Sequence, residues 1–141
     1  MNYDKTGFAS ALDGTPLFWG LRGASEQTPI VLSDGIGCDG FAWKYLQPKL
    51  AENRRVLHWH YRGHGRSGLP RDSARIDISA HARDLIALLD HHEMDRAVLA
   101  GHSMGTQVAL EAYRLAPSRV AGLVLVCGSY GRVTATFHGS D

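Results

Sequence analysis

Gly101-His102-Ser103-Met104-Gly105 decides the fold. These residues read Gly-x-Ser-x-Gly and stand between two patterns of different period. Before them, Arg96-Ala97-Val98-Leu99-Ala100 is a short apolar run of the kind a buried parallel strand shows. After them, Gln107-Val108-Ala109-Leu110-Glu111-Ala112 is rich in helix formers, with Val108, Ala109 and Ala112 on one face. A serine on so sharp a strand-to-helix turn is forced into a strained backbone conformation. Gly101 and Gly105 are needed there because a Cβ at either position would collide with the neighbouring strand or helix. The serine oxygen is lifted clear of the sheet, and the Met104 amide, in the first turn of the helix, can donate to an oxyanion. A Gly-rich chain with 16 glycines yields such pentapeptides by chance. The strand, turn and helix context reads this one as a nucleophile elbow.

Working outward, Phe8–Leu12 and Leu17–Leu21 flank Asp13-Gly14, a pair that favours a type I′ turn, so an antiparallel hairpin opens the chain. Pro29–Leu32 is a strand stopped by the loop Ser33-Asp34-Gly35-Ile36-Gly37. Asp39 is placed to cap the helical stretch Ala42–Leu50, which Pro48 is expected to bend or break near Gln47. Arg55–Tyr61 is the next strand, followed by a loop punctuated by Gly63, Gly65, Gly68 and Pro70. Ala82, Leu85, Ile86 and Leu89 line one face of a helix over Ile78–Met94, capped by Asp77 or Ser79. Pro117 stops the helix after the elbow, and Val120–Val126 reads as a fully buried strand. Strands alternating with helices predict a mostly parallel α/β sheet with helices on both faces.

Composition bounds the function. With 15 basic and 14 acidic residues interspersed, the chain shows no footprint for nucleic acid or a membrane surface. Cys38 and Cys127 have no metal-type spacing, and a reduced compartment is the default. The first ten residues lack an apolar signal core, and no run approaches the roughly 18 apolar residues of a membrane helix. A soluble, cytoplasmic protein is expected, with no cofactor and no metal.

Other motifs yield to plainer readings. Gly63, Gly65 and Gly68 spell G-x-G-x-x-G, but Leu69-Pro70-Arg71-Asp72 follows where a dinucleotide site needs a helix N-terminus. His58 and His60 share a strand face without a third ligand, so they read as core histidines. His91-His92 complements a helix C-terminus. His102 supports packing beside the serine and points away from its open side. In elbow enzymes the acid and the histidine follow the serine. Here only Glu111 and Asp141 are acidic after Ser103, and His138 is the lone histidine. Glu111 lies two turns along the elbow helix, facing elsewhere. The chain therefore reads as a nucleophile without an identifiable base, and as a fragment.

The chain resembles the first half of the α/β-hydrolase fold family, in its ester-hydrolase and cofactor-free haloperoxidase-like branch. Leu32-Ser33-Asp34-Gly35-Ile36-Gly37 is similar to that family's oxyanion loop, Tyr61–Gly68 to its glycine-rich loop, and Gly101–Gly105 to its elbow. The resemblance implies Ser103 as nucleophile and the amides of Ile36 and Met104 as the oxyanion hole, supported by Gly35, Gly101, His102 and Gly105. It implies a small-molecule ester or acyl substrate. The family usually has His-Gly where this chain has Asp34-Gly35, which brings a carboxylate near the oxyanion site. Its acid and histidine loops, cap region and last two strands have no counterpart here. Residues 1–141 are thus expected to be the N-terminal portion of a single α/β-hydrolase domain, a serine hydrolase that is weak or inactive by itself. A lyase or acyltransferase using the same serine, or a non-catalytic ligand-binding protein of the same fold, are the alternatives. The uncharged run Val120–Val126 is expected to act as a sheet edge and to promote self-association.

Overall fold

The computed structural model describes residues 1–131. Six strands form one mixed sheet in the order β1-β2-β4-β3-β5-β6: β1 Lys5–Ser10, β2 Pro16–Arg22, β3 Ile30–Ser33, β4 Val56–Trp59, β5 Ala97–His102 and β6 Val120–Val126. The hairpin β1–β2 is antiparallel and joins β4 antiparallel, while β4, β3, β5 and β6 run parallel. Helices α1 (Leu46–Ala51), α2 (Ile78–His91) and α3 (Met104–Leu115) complete the α/β architecture.

Alternation along the central strands creates two cores. Val31, Leu57 and Leu99 point to one face, where Leu85, Leu88 and Leu89 of α2 and Val108, Ala109 and Ala112 of α3 cover them. Ile30, Leu32, Val56 and Ala100 point to the other, under Trp43 and, at the margin, Leu50 and Ala51. Helices therefore lie on both faces, as expected. Asp77 caps α2 through its carboxylate, which accepts the Ala80 N–H at 2.7 Å.

Local chemistry departs from expectation in four places. The hairpin turn is not type I′: only Gly14 has positive φ (84°), and its N–H donates to Ala11 O at 2.9 Å. That is a three-residue connection with one left-handed glycine. Asp39 caps nothing; the 3-10 turn Phe41–Trp43 starts from Gly40 at φ 73°, and Asp39 instead faces His60 Nε2 at 2.9 Å. The helical stretch breaks at Lys44–Tyr45, leaving Pro48 in the first turn of α1, where its missing N–H costs no helical bond. β6 is not fully buried. Among the described residues it lies at the sheet edge, as expected, and that position leaves Val124 43% and Leu125 46% exposed. No helix among the described residues is long and apolar enough to cross a membrane.

Candidate active site

The carboxyl ends of β3, β4 and β5 bring three loops together, where an open parallel sheet gathers its chemistry. Ser103 sits between β5 and α3 at φ 53°, ψ −116°, a conformation that costs a non-glycine residue about 1–3 kcal/mol. Neighbouring contacts hold it there. The Ser103 N–H donates to Val126 O at 2.9 Å, and Ser103 O accepts the Thr106 N–H at 3.0 Å. A Cβ on Gly101 would strike the backbone of Gly105, and one on Gly105 would strike the carbonyl of Ser33 and lie 2.9 Å from Asp34 O. The two glycines thus let α3 start directly against the end of β3. Met104 is the first residue of α3, so its N–H has no intrahelical acceptor.

The loop after β3 closes over the elbow. A Cβ on Gly35 would lie 3.1 Å from both Ser103 Cβ and His102 Nδ1, so the backbone just before Ile36 abuts the serine. The Cys38 N–H returns to Gly35 O at 3.2 Å, in a turn whose third position, Gly37, has φ 69°. His102 lies edge-on to Trp43 at 6.5 Å, consistent with a packing role. Glu111 pairs with Arg114 on the surface at 2.7 Å. Among the described residues no histidine hydrogen-bonds the Ser103 hydroxyl; His138 and Asp141 lie outside the described residues.

Asp34 turns inward, which its sequence position did not reveal. Its carboxylate is buried, accepting the Gly40 N–H and a bond from His58 Nε2, each at 2.8 Å. Tyr61 OH donates to Asp34 O at 2.6 Å, and Trp59 Nε1 donates to Ser33 Oγ at 3.0 Å, so β4 side chains fasten the root of the loop. His58 and His60 are core residues, as their pattern predicts. The glycine-rich loop is held by backbone bonds, within itself from the Gly63 N–H to Gly68 O at 2.9 Å and to the start of β2 from the Gly68 N–H to Pro16 O at 2.8 Å. Inside it Arg62, 4% exposed, forms a fork on Asp84 at 2.7 and 2.6 Å and reaches Asp13 at 2.9 Å. Reading the sequence missed this ion cluster: its members lie 49 and 22 positions apart, with no periodic signal joining them. Thr15 and Arg62 hold Asp13 down at about 2.

Two histidines give the molecule an acid limit. Burial holds His81 and His92 at about 4, well below the usual imidazole value. His92 stacks edge-on against Trp19 at 4.5 Å; held neutral, it does not place charge at the end of α2 as its position suggested. Unfolding lets both rings take a proton near pH 6.5, which the folded state refuses until about pH 4. Stability is therefore complete above pH 6.5 and falls as the pH drops through that window, by up to about 1.4 kcal/mol per pH unit for each ring. Urea midpoints measured from pH 7 to pH 4 are expected to fall steeply, and His81→Phe to flatten the slope by close to half. A slope unchanged by that variant refutes the assignment.

Comparison with known proteins identifies the fold family. The model of the alpha/beta hydrolase fold matches residues 28–140. The dihydrolipoyllysine-residue acetyltransferase component of an acetoin cleaving system from Pseudomonas putida is 40% identical over 82% of the chain and 31% of that protein. A hydrolase of known structure from Pseudomonas aeruginosa superposes with TM-score 0.83 at 32% identity, over 96% of this chain and 51% of the other. An esterase from a Rhodococcus species gives 0.78 at 31% identity, over 91% and 48%. The chain thus spans about half or less of the length of the proteins it matches.

Proposed function

Because this chain belongs to the α/β hydrolase fold family, we propose that Ser103 is the nucleophile of a site that hydrolyses carboxylic esters, with the Ile36 and Met104 amides as oxyanion donors. The observation that carries this reading is the serine's left-handed backbone at a strand-to-helix junction, with the loop after β3 against it. Ser103 Oγ attacks the ester carbonyl carbon and passes its proton to a base. The carbonyl oxygen becomes an oxyanion, held by the two amides, and the alkoxide leaves with a proton, giving an acyl-serine that water then hydrolyses. We place the base and its carboxylate partner outside residues 1–131, since no described histidine hydrogen-bonds the hydroxyl. Residues 1–141 then supply the N-terminal portion of a single domain. The relationship to an acetyltransferase component supports a second reading, in which the same acyl-serine is discharged to an acceptor other than water.

Prolonged incubation with an aryl fluorophosphonate, followed by mass spectrometry, tests the assignment. The adduct is expected on the tryptic peptide Ala97–Arg114, whose only serine is Ser103. Its absence there overturns the proposal.

A further inference from the structure

A chain of hydrogen bonds runs from the N-terminal arm to the loop beside Ser103. Tyr3 OH lies 2.7 Å from His58 Nδ1, His58 Nε2 lies 2.8 Å from Asp34 Oδ2, and the same oxygen accepts the Gly40 N–H at 2.8 Å. His58 is fully buried and Asp34 is 2% exposed. Tyr3 reaches His58 by lying across β2 at Gly20, where any Cβ would collide with its ring. Its ring is parallel to that of His58 to within 10°. Gly40 is similarly closed in, with the Met1 side chain on one side and His58 Cε1 3.3 Å from where a Cβ would stand.

The protons in this chain can be assigned. Burial, then the charge of Asp39, raises the Tyr3 hydroxyl above the usual phenol range, so it keeps its proton and donates. At the other end the Asp34 carboxylate can only accept, so His58 Nε2 carries the ring proton and Nδ1 is left to accept from Tyr3 OH. Every link has a donor and an acceptor. Asp34 Oδ1, by contrast, is buried without a partner among the described residues, so the carboxylate is held chiefly through Oδ2. Removing the Tyr3 or His58 link leaves a buried polar group less satisfied and loosens the carboxylate, and removing the carboxylate frees the Gly40 amide.

Resting on the reading of Ser103 given above, we propose that Tyr3, His58 and Asp34 are positioning residues: they fix the backbone of loop 34–40 and with it the direction of the Ile36 N–H. The residue that stands where the family usually has histidine is thereby given a role. Its carboxylate is turned away from the developing oxyanion and spent on bracing the loop that serves it. Tyr3, outside the sheet and far from the elbow in sequence, becomes part of the site's support.

Two measurements on the protein test the relay. In the first, ring nitrogen chemical shifts report the His58 tautomer and hydrogen exchange reports the Gly40 amide, whose N–H is bonded to Asp34. The expected result is an unprotonated Nδ1 and, in Tyr3→Phe, exchange at the Gly40 amide roughly two- to ten-fold faster, the effect of weakening one hydrogen bond. A protonated Nδ1, or exchange unchanged in Tyr3→Phe, overturns the relay whatever the chemistry at Ser103. In the second, the rate of fluorophosphonate capture is compared in Asp34→Ala and Asp34→Asn. Capture is expected to slow on the order of 100-fold in Asp34→Ala, as when an oxyanion donor is lost. It is expected to stay within a few-fold in Asp34→Asn, whose amide oxygen still accepts from Gly40. Equal rates in both variants overturn the link between relay and site. Failure of the wild-type protein to form any adduct overturns the nucleophile assignment instead, and leaves the relay to be decided by the first measurement.

Discussion

Ser103→Ala is expected to abolish the fluorophosphonate adduct while leaving the slow ester turnover of residues 1–141 almost unchanged. The two halves of that result follow from one property of serine sites. Nucleophile and base act as a unit, so loss of either costs about as much as loss of both, on the order of 10⁶ in kcat. Among the described residues no histidine hydrogen-bonds the Ser103 hydroxyl, and with the base placed outside them, as proposed above, the described residues by themselves stand on the far side of that loss. What remains is the residual 10³ to 10⁴ over water that oxyanion donors and binding supply. Deleting the serine then removes a covalent species, not a rate. Added imidazole, a base free in solution, is expected to raise turnover in the wild type well above its effect on Ser103→Ala. In a protein that carries the complete triad, the same substitution is expected to cost the full factor. Release of p-nitrophenolate from a short acyl ester, with and without imidazole, measures all of this. Efficient turnover by residues 1–141 alone would place the base within the chain, with His64, His102 and His138 as the histidines to replace first.

Arg62→Ala is expected to destabilise the fold by about 3–5 kcal/mol, the cost of leaving a buried charge without its partner. The guanidinium makes two bonds to Asp84, which is 1% exposed, and bridges to Asp13 in the β1–β2 turn. Burial pushes the Asp84 carboxyl up, against the pull of Arg62. Without the guanidinium that upward push is unopposed, so Asp84 takes up a proton more readily and the penalty shrinks as the pH is lowered. The double variant Arg62→Met, Asp84→Leu is expected to recover most of the loss, because a buried pair adds little over apolar side chains of similar volume. Urea unfolding of the two variants decides it. A loss below 1 kcal/mol in Arg62→Ala would mean that water reaches Asp84.

By itself the sequence determined whatever depends on neighbours along the chain. The Gly-x-Ser-x-Gly turn with its flanking periods located the strand, the strained serine and the helix behind it; Val120–Val126 had the bounds the structure shows; the cap of α2 was narrowed to Asp77 or Ser79, of which Asp77 serves. Periods of two and 3.6 are local, and so is the need for glycine where two backbones meet. Tertiary structure decided what pairs across the sheet and across loops. Asp39 looked like a cap and is an exposed partner of His60, since the first helical turn began at the glycine after it. Val120–Val126 had the composition of a buried strand, and it was the resemblance to a known fold, not composition, that led to the edge position where Val124 and Leu125 are exposed. Asp34 read as a carboxylate near an oxyanion, and only the placement of His58 and Tyr3 turned it inward. Arg62, Asp84 and Asp13 carry no sequence signature because a buried ion cluster is selected by distance in space, and chain separation says almost nothing about that distance once the sheet has folded.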